Sequence, residues 1–373
     1  MKKYILTFLI FLIKQCAIYA QMNPLSFDEQ FDDTPETKKI ASQITNSLSN
    51  DSLKFIALYS WVTKNISYDD ERLKNVQKAY FKGKSRTLNN CSETLSKRKA
   101  ICSGYVFLLS AMCNSIGIKN MPIKGYGRTS NEQVDEPDHA WIAFKLSKNW
   151  YLADPTWDSE IIFNNQKKGL NDTLFLMLEP KKFLKTHFPL DPLWQLNNNL
   201  LTISEWKENH FIEKSSSLTT NFNATDSLQK FENETITEKF FNSMNRIVKE
   251  KEYAYNGFNE MAVYYSVLLG TEGNNYTLLN NQLNSNNKDI SAMAKKVLPL
   301  KHELYLRLSK MENYHQKLKF YTTKLSNSLP TKLINGYNLD DKNESIKNIK
   351  LFLIDERKYL DATIKQLESL RKK

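Results

Sequence analysis

Cys102 stands where the charged run Lys97-Arg-Lys99 gives way to Tyr105-Val-Phe-Leu-Leu-Ser-Ala-Met-Cys113, and that junction constrains the fold more than any other stretch of the chain. Tyr105, Val106, Leu109, Met112, Cys113 and Ile116 recur at helical spacing, so the sequence predicts a buried helix from about Ser103 to the Gly117 that ends it. Cys102 then sits at the helix N-terminus. Unpaired backbone N–H groups and the positive end of the helix dipole favour a thiolate there, and the same N–H groups can hold an oxyanion. A cysteine by itself is more often a small buried hydrophobe. Its company downstream gives it a chemical reading.

His139-Ala-Trp-Ile-Ala-Phe-Lys-Leu146 and Trp150-Tyr-Leu-Ala-Asp154 are two apolar, aromatic-rich runs joined by Ser147-Lys-Asn149, the pattern of a β-hairpin. His139 opens the first strand and Asp154 closes the second, and in an antiparallel pair those ends are neighbours. By the period of two, His139, Trp141 and Ala143 share one face with Trp150, Leu152 and Asp154. A Cys102 helix packed on that face would bring together a thiol, an imidazole to take its proton and a carboxylate to orient the imidazole.

Four segments in order carry a family resemblance: Tyr59-Ser-Trp-Val-Thr-Lys-Asn-Ile-Ser-Tyr68-Asp69; Cys102-Ser-Gly-Tyr105; His139-Ala-Trp141 with Asp154-Pro-Thr-Trp157-Asp158; and Phe183-Leu-Lys-Thr-His187-Phe-Pro-Leu-Asp-Pro-Leu-Trp194-Gln-Leu196. With these, residues 55 to 196 resemble the transglutaminase-like (papain-like) superfamily, most closely its kyphoscoliosis-peptidase and cytokinesis-type branch. The resemblance implies an α+β fold of helices on an antiparallel sheet. It also implies Cys102 as nucleophile, His139 as base and Asp154 as the orienting carboxylate. Where the family often has Gly-Val before the cysteine, this chain has Ala100-Ile101, which predicts a different loop into the helix.

Met1-Lys-Lys, the apolar run Tyr4 to Ile13 and Cys16-Ala-Ile-Tyr-Ala20 have the order of a secretory signal, so residues 1–20 are expected to be a signal peptide cleaved after Ala20, as in a bacterial exported protein of the periplasm or outside. The apolar run is too short to span a bilayer. Losing Lys2, Lys3 and Lys14 would take the formal charge from +11 to +8, with basic and acidic residues interspersed and no nucleic-acid-binding motif. Three cysteines then remain, Cys91, Cys102 and Cys113. Cys91 and Cys113 could pair and leave Cys102 free, or Cys113 could be inert packing. No metal-ligand spacing is present, and no cofactor or metal is expected.

The rest of the chain divides by composition. Residues 21–206 are assigned to the transglutaminase-like domain, with two helices between Thr37 and Asn65, a charged connector from Tyr68 to Lys99, a strand over Met121–Gly127 and a polar loop over residues 128–138. Trp61 is expected to pack in the core, and His187 to be a structural hydrogen-bonding residue. Residues 207–235 read as a linker. Residues 236–373 read as a helical bundle, broken between Thr271 and Asn287 and with Pro299 starting or kinking a helix.

The function expected is that of an exported cysteine hydrolase, a peptidase or amidase acting on a protein or peptide through an acyl-enzyme. The alternatives are a transamidase, in which an amine resolves the same intermediate, and a non-catalytic envelope scaffold whose C-terminal helices hold a protein partner.

Overall fold

The computed structural model describes residues 34–81, 90–128, 137–164, 175–208, 222–285, 290–329 and 339–371. The signal peptide expected over residues 1–20, the lead-in that follows it, most of the loop over 128–138 and residues 209–221 of the linker lie outside the described residues. The chain forms two compact units, one holding the described residues up to Ala79 and from Asn90 to Tyr253, the other beginning at Ala254.

The first unit opens with helix α1 (Pro35–Thr45), capped by the Thr34 side chain with Pro35 in its first turn, and α2 (Asp51–Asn65), capped by Asn50. Phe55, Leu58, Tyr59 and Val62 of α2 are buried, while Leu53 and Ile56 face solvent. A two-residue strand β1 (Ser67–Tyr68) pairs in parallel with β2 (Lys99–Ala100). Between them the charged connector forms two helices, α3 (Asp70–Phe81) and α4 (Cys91–Lys97), tied by a bidentate Arg72–Glu93 pair at 2.8 and 2.9 Å.

Helix α5 (Cys102–Ser115) is the centre of the unit: every residue from Ser103 to Cys113 is buried. Gly117, at φ +80°, turns the chain out of it into strand β3 (Asn120–Gly127). The hairpin follows as β4 (His139–Leu146) and β5 (Asn149–Ala153), with Ile142 opposite Ala153 and Leu146 opposite Asn149. Helix α6 (Pro155–Asn164), β6 (Leu176–Leu178), the single turn α7 (Pro180–Phe183), β7 (His187–Pro189) and α8 (Ile203–Lys207) complete the chain to the linker. The five long-range strands pair antiparallel in the order β6-β5-β4-β3-β7.

Each face of this sheet carries its own core. Helices α1, α2 and α5 cover Ile142, Phe144 and Ala153, with Phe55 stacked on Phe144 at 3.5 Å and 9°. The other face, with Ile123, Trp141, Ala143 and Leu152, packs against Trp157, Phe175, Phe183 and Trp194. The alternation had predicted α5 on the face of His139, Trp141 and Ala143; it lies on the opposite one. Ile142, Phe144 and Ala153 on that face match a helix that is apolar on every side, and His139 is left at the strand's end.

The region read as a linker is helical in its described part. Helix α9 (Ala224–Asn233) sets Phe231 against Trp150 and Trp194 at 6.1 and 5.0 Å, and Glu232 takes Lys145 Nζ at 2.5 Å and Trp150 Nε1 at 3.1 Å. Helix α10 (Ile236–Ile247) follows a Thr235–Glu238 capping box and is pinned by a bidentate Arg246–Asp191 pair, both contacts at 2.7 Å. Both belong to the first unit, so the boundary falls at Tyr253 rather than in residues 207–235.

The second unit is three long helices, α11 (Ala254–Ser285), α12 (Ile290–Ser328) and α13 (Leu339–Arg371). Arg307–Glu272 (2.7 Å) with Tyr321–Tyr265, and His315 to the Ile346 carbonyl (2.9 Å) with Glu312–Arg357, set α12 antiparallel to α11 and α13, and Tyr276 of α11 bonds Glu356 of α13 at 2.6 Å. Its core holds Leu269, Tyr276, Leu304, Leu308, Met311, Ile349 and Leu360. The break expected from Thr271 to Asn287 is absent up to Ser285: burial of Leu269 and Tyr276 outweighs the poor helix propensity of glycine and asparagine, and Gly273 lies against Met311. Pro299 sits inside α12.

Candidate active site

The backbone delivers Cys102 through an unusual junction. Arg98 ends α4 in the left-handed region at φ 52°, with its guanidinium 4.8 Å from the Trp61 ring centroid. Ala100 is then extended in β2 and buried, and it is not among the residues of positive φ, so alanine fits where the family often has glycine. Ile101 caps α5 with no side-chain hydrogen bond, which leaves the first-turn N–H groups uncovered by a capping side chain. Cys102 is partly exposed, with Sγ 3.8 Å from the Asp138 carbonyl oxygen.

His139, at the start of β4, lies between Asp154 and Cys102. Its Nε2 lies 2.7 Å from Asp154 Oδ2, and Cys102 lies close enough for its charge to raise the imidazole's pKa. Nε2 is engaged by the carboxylate, so Nδ1 is the nitrogen left to the thiol. Two features fix the ring. Trp157 stacks on it at 5.1 Å and 27°, and a Cβ at Gly127 would lie only 2.9–3.0 Å from its Cδ2, Cβ and Cγ. The glycine is what allows β3 to pass that close. The structure thus brings Cys102, His139 and Asp154 together, at the end of the sheet rather than across its face.

Asp154 is fully buried and heavily bonded. Oδ1 accepts the backbone N–H of Thr156 (2.8 Å) and Trp157 (3.2 Å) at the start of α6, and Oδ2 accepts from both His139 and His187, the latter at 3.1 Å. Burial pushes this carboxyl's pKa up, but the His139 charge and the two imidazole hydrogen bonds outweigh it and hold the pKa well below the usual carboxylate range. For His139, burial acts to lower the pKa, while the Asp154 charge and hydrogen bond, with a smaller contribution from Cys102, raise it to about 10. The site therefore holds an imidazolium at neutral pH.

Beneath it, the Tyr59 hydroxyl lies 2.8 Å from the Asp154 carbonyl oxygen and 2.6 Å from Asp158 Oδ2. Burial raises Asp158 to about 7, against the opposing hydrogen bonds from the Phe175 N–H and Tyr59. A protonated Asp158 can donate to Tyr59, which then gives its own proton to the Asp154 carbonyl, so every buried polar atom of the pair is used.

Ligand atoms of His139, Asp154 and His187 lie within 4.8 Å of one another, the spacing of a metal site. Both imidazoles, however, aim Nε2 at the same Asp154 oxygen at hydrogen-bond distance, which is the arrangement of a proton-transfer group. Cys91 and Cys113 are buried in the core around α5 and form no disulfide; burial pushes the Cys113 thiol's pKa up.

Residues 38–155, which run from within α1 past the end of β5 and hold the Cys102, His139 and Asp154 positions, match the family model of the transglutaminase-like superfamily. This segment is a transglutaminase-like domain. Kyphoscoliosis peptidase of Mus musculus is 27% identical over 165 residues, covering 42% of this chain and 24% of that protein. Hillarin of Drosophila melanogaster is 22% identical over 195 residues, covering 46% and 22%. The chain thus spans about a quarter of the length of these relatives. A solved TGase structure aligns with 35% of this chain and 32% of its own at 20% identity, with a TM-score of 0.26.

Gly127 helps fix the site and was not singled out by the sequence, whereas His187, expected to be a structural hydrogen-bonding residue, has Asp154 as its partner. Gly127 reads as an ordinary strand end, and only its tertiary contact with His139 gives it a role. The link of His187 to Asp154 joins residues 33 apart in the chain and has no local signature.

Proposed function

We propose that the transglutaminase-like domain is a cysteine hydrolase, a peptidase or amidase, exported from the cell and acting on a protein or peptide. The observation that carries this reading is the 2.7 Å bond from His139 to a buried Asp154 carboxylate, with the same ring beside a cysteine at a helix N-terminus. In this mechanism the Cys102 thiolate attacks the substrate carbonyl. The oxyanion is held by the Cys102 backbone N–H and the dipole of α5. His139 protonates the leaving amine, and an acyl-enzyme thioester remains. Water, deprotonated by the now neutral His139, attacks the thioester, and the released acid restores the thiolate and imidazolium pair. Asp154 keeps Nε2 protonated and so points Nδ1 at the sulfur throughout.

The test is the appearance of new α-amino groups when a denatured protein substrate is incubated with the mature chain. Wild type generates them and Cys102→Ala does not. Adding a fluorescent primary amine separates the two fates of the acyl-enzyme: label incorporated into the substrate in place of cleavage would make the protein a transamidase. Export is part of the same proposal and rests on the pattern of residues 1–20; cell fractionation with and without that segment tests it.

A further inference from the structure

His187 is fully buried inside an aromatic box, with ring centroids of Phe183, Trp157, Trp141 and Phe175 at 4.2, 4.4, 5.0 and 5.2 Å. Packing alone does not require a histidine there, since a phenyl ring would fill the same box without a polar atom to desolvate. Both ring nitrogens are nevertheless used. Nε2 faces Asp154 Oδ2 at 3.1 Å, and Nδ1 faces Thr186 Oγ1 at 2.8 Å. The carboxylate only accepts, so the proton is on Nε2. Burial keeps the ring neutral, so Nδ1 accepts, and the Thr186 hydroxyl, which also lies 3.3 Å from the Phe183 carbonyl oxygen, donates to the nearer Nδ1 at 2.8 Å. A directed chain results, from Thr186 through His187 and Asp154 to His139.

We propose that His187 is a positioning residue for the Cys102–His139–Asp154 group: its Nε2–H holds Asp154 Oδ2 in line with His139 Nε2, and Thr186 fixes the His187 tautomer that makes this hydrogen bond. This rests on the reading of Cys102 and His139 as nucleophile and base. The backbone donors of Thr156 and Trp157 anchor only Oδ1. Oδ2 is the oxygen that His139 reads, and His187 is its second partner. Without it, the carboxylate plane has a single charged bond to settle against, and the imidazole it orients loses its fixed direction towards the sulfur.

The probe is iodoacetamide at pH 6, with modification of Cys102 located by mass spectrometry. The low-field proton resonance of the His139–Asp154 hydrogen bond is recorded on the same proteins, and near-ultraviolet circular dichroism reports their fold. His187→Phe is expected to slow alkylation about tenfold, the scale of one hydrogen bond to a charged group. Thr186→Val, which bonds none of Cys102, His139 and Asp154, is expected to change the rate in the same direction and to move the same resonance. His187→Gln, which returns an N–H donor near the Nε2 position, is expected to restore most of the rate. Folded His187→Phe and Thr186→Val proteins with wild-type rate and an unmoved resonance would overturn the proposal. Should His187→Phe not fold, Thr186→Val decides. If wild-type alkylation proves independent of His139, the nucleophile–base reading fails, and the resonance alone then decides whether His187 positions Asp154.

Discussion

Replacing Asp154 by asparagine removes the charge that the site is built to use while keeping the side chain's shape. In the wild type, burial of His139 would lower its proton affinity, yet it is raised from 6.5 to about 10. That difference is worth about 4–5 kcal/mol, and with part of it owed to Cys102, about 3 kcal/mol, or roughly two pH units, falls to Asp154. In Asp154→Asn the burial remains without its compensating charge. The His139 midpoint should therefore drop by at least about two pH units. The chain has five histidines, so a titration of the imidazole Cε1–H resonances by NMR can follow each one, with His139 assigned from a His139→Gln sample. The expected outcome is a wild-type His139 that titrates near 10 and a variant whose midpoint lies at or below about 8. A wild-type midpoint near 6.5, or a variant within half a unit of wild type, would refute the reasoning.

Other expectations follow from contacts elsewhere in the first unit. Gly127→Ala places a methyl group about 2.9 Å from the His139 ring and should slow iodoacetamide alkylation of Cys102 at pH 6 by about tenfold while costing about 1–2 kcal/mol in urea unfolding. Phe55→Ala removes a fully buried ring stacked on Phe144 and should cost about 3–5 kcal/mol, read from the shift in denaturation midpoint. The native Asp158 carboxyl, raised from 3.8 to about 7, binds its proton more tightly than the unfolded chain does, so this residue lowers stability progressively as pH rises from about 4 to about 7. Asp158→Asn should abolish that decline, leaving the variant about 1–2 kcal/mol more stable than wild type at pH 8 and little different at pH 4, as measured by urea unfolding at both values. His187 carries the opposite slope: lowered to about 4 by burial, it should cost stability as pH falls from about 6.5 to 4, and His187→Phe should flatten that limb of the stability profile.

The hairpin that carries His139 and Asp154 was legible because a strand's period and its turn are local properties: two apolar runs flank Ser147-Lys-Asn149, and the register set by Ile142 and Ala153 follows. Helix α5 was legible for a similar reason, its apolar residues being dense enough to mark burial on every side. Which sheet face it covers was not, since both faces of β4 are apolar and only the complementary partners, Phe55 on one side and Phe183 on the other, tell them apart. Helices α3 and α4 hid among charges because part of what holds them is an ion pair between residues 21 apart, Arg72 and Glu93. Helix α9 looked like a linker because a polar, serine- and asparagine-rich composition surrounds its one large buried anchor, Phe231. Of the site itself, the residue types and their order were in the sequence. The contacts that fix them, from Gly127, His187 and Tyr59, are tertiary.

The most direct test of the account is the pH profile of iodoacetamide alkylation at Cys102, measured beside His139→Ala. A thiolate paired with the His139 imidazolium should react readily at about pH 5–6, and the substitution should remove that reactivity. If Cys102 instead follows the ionisation of an ordinary thiol near 8.5, with the same profile in both proteins, the acyl-transfer account is wrong and the domain serves as a binding scaffold.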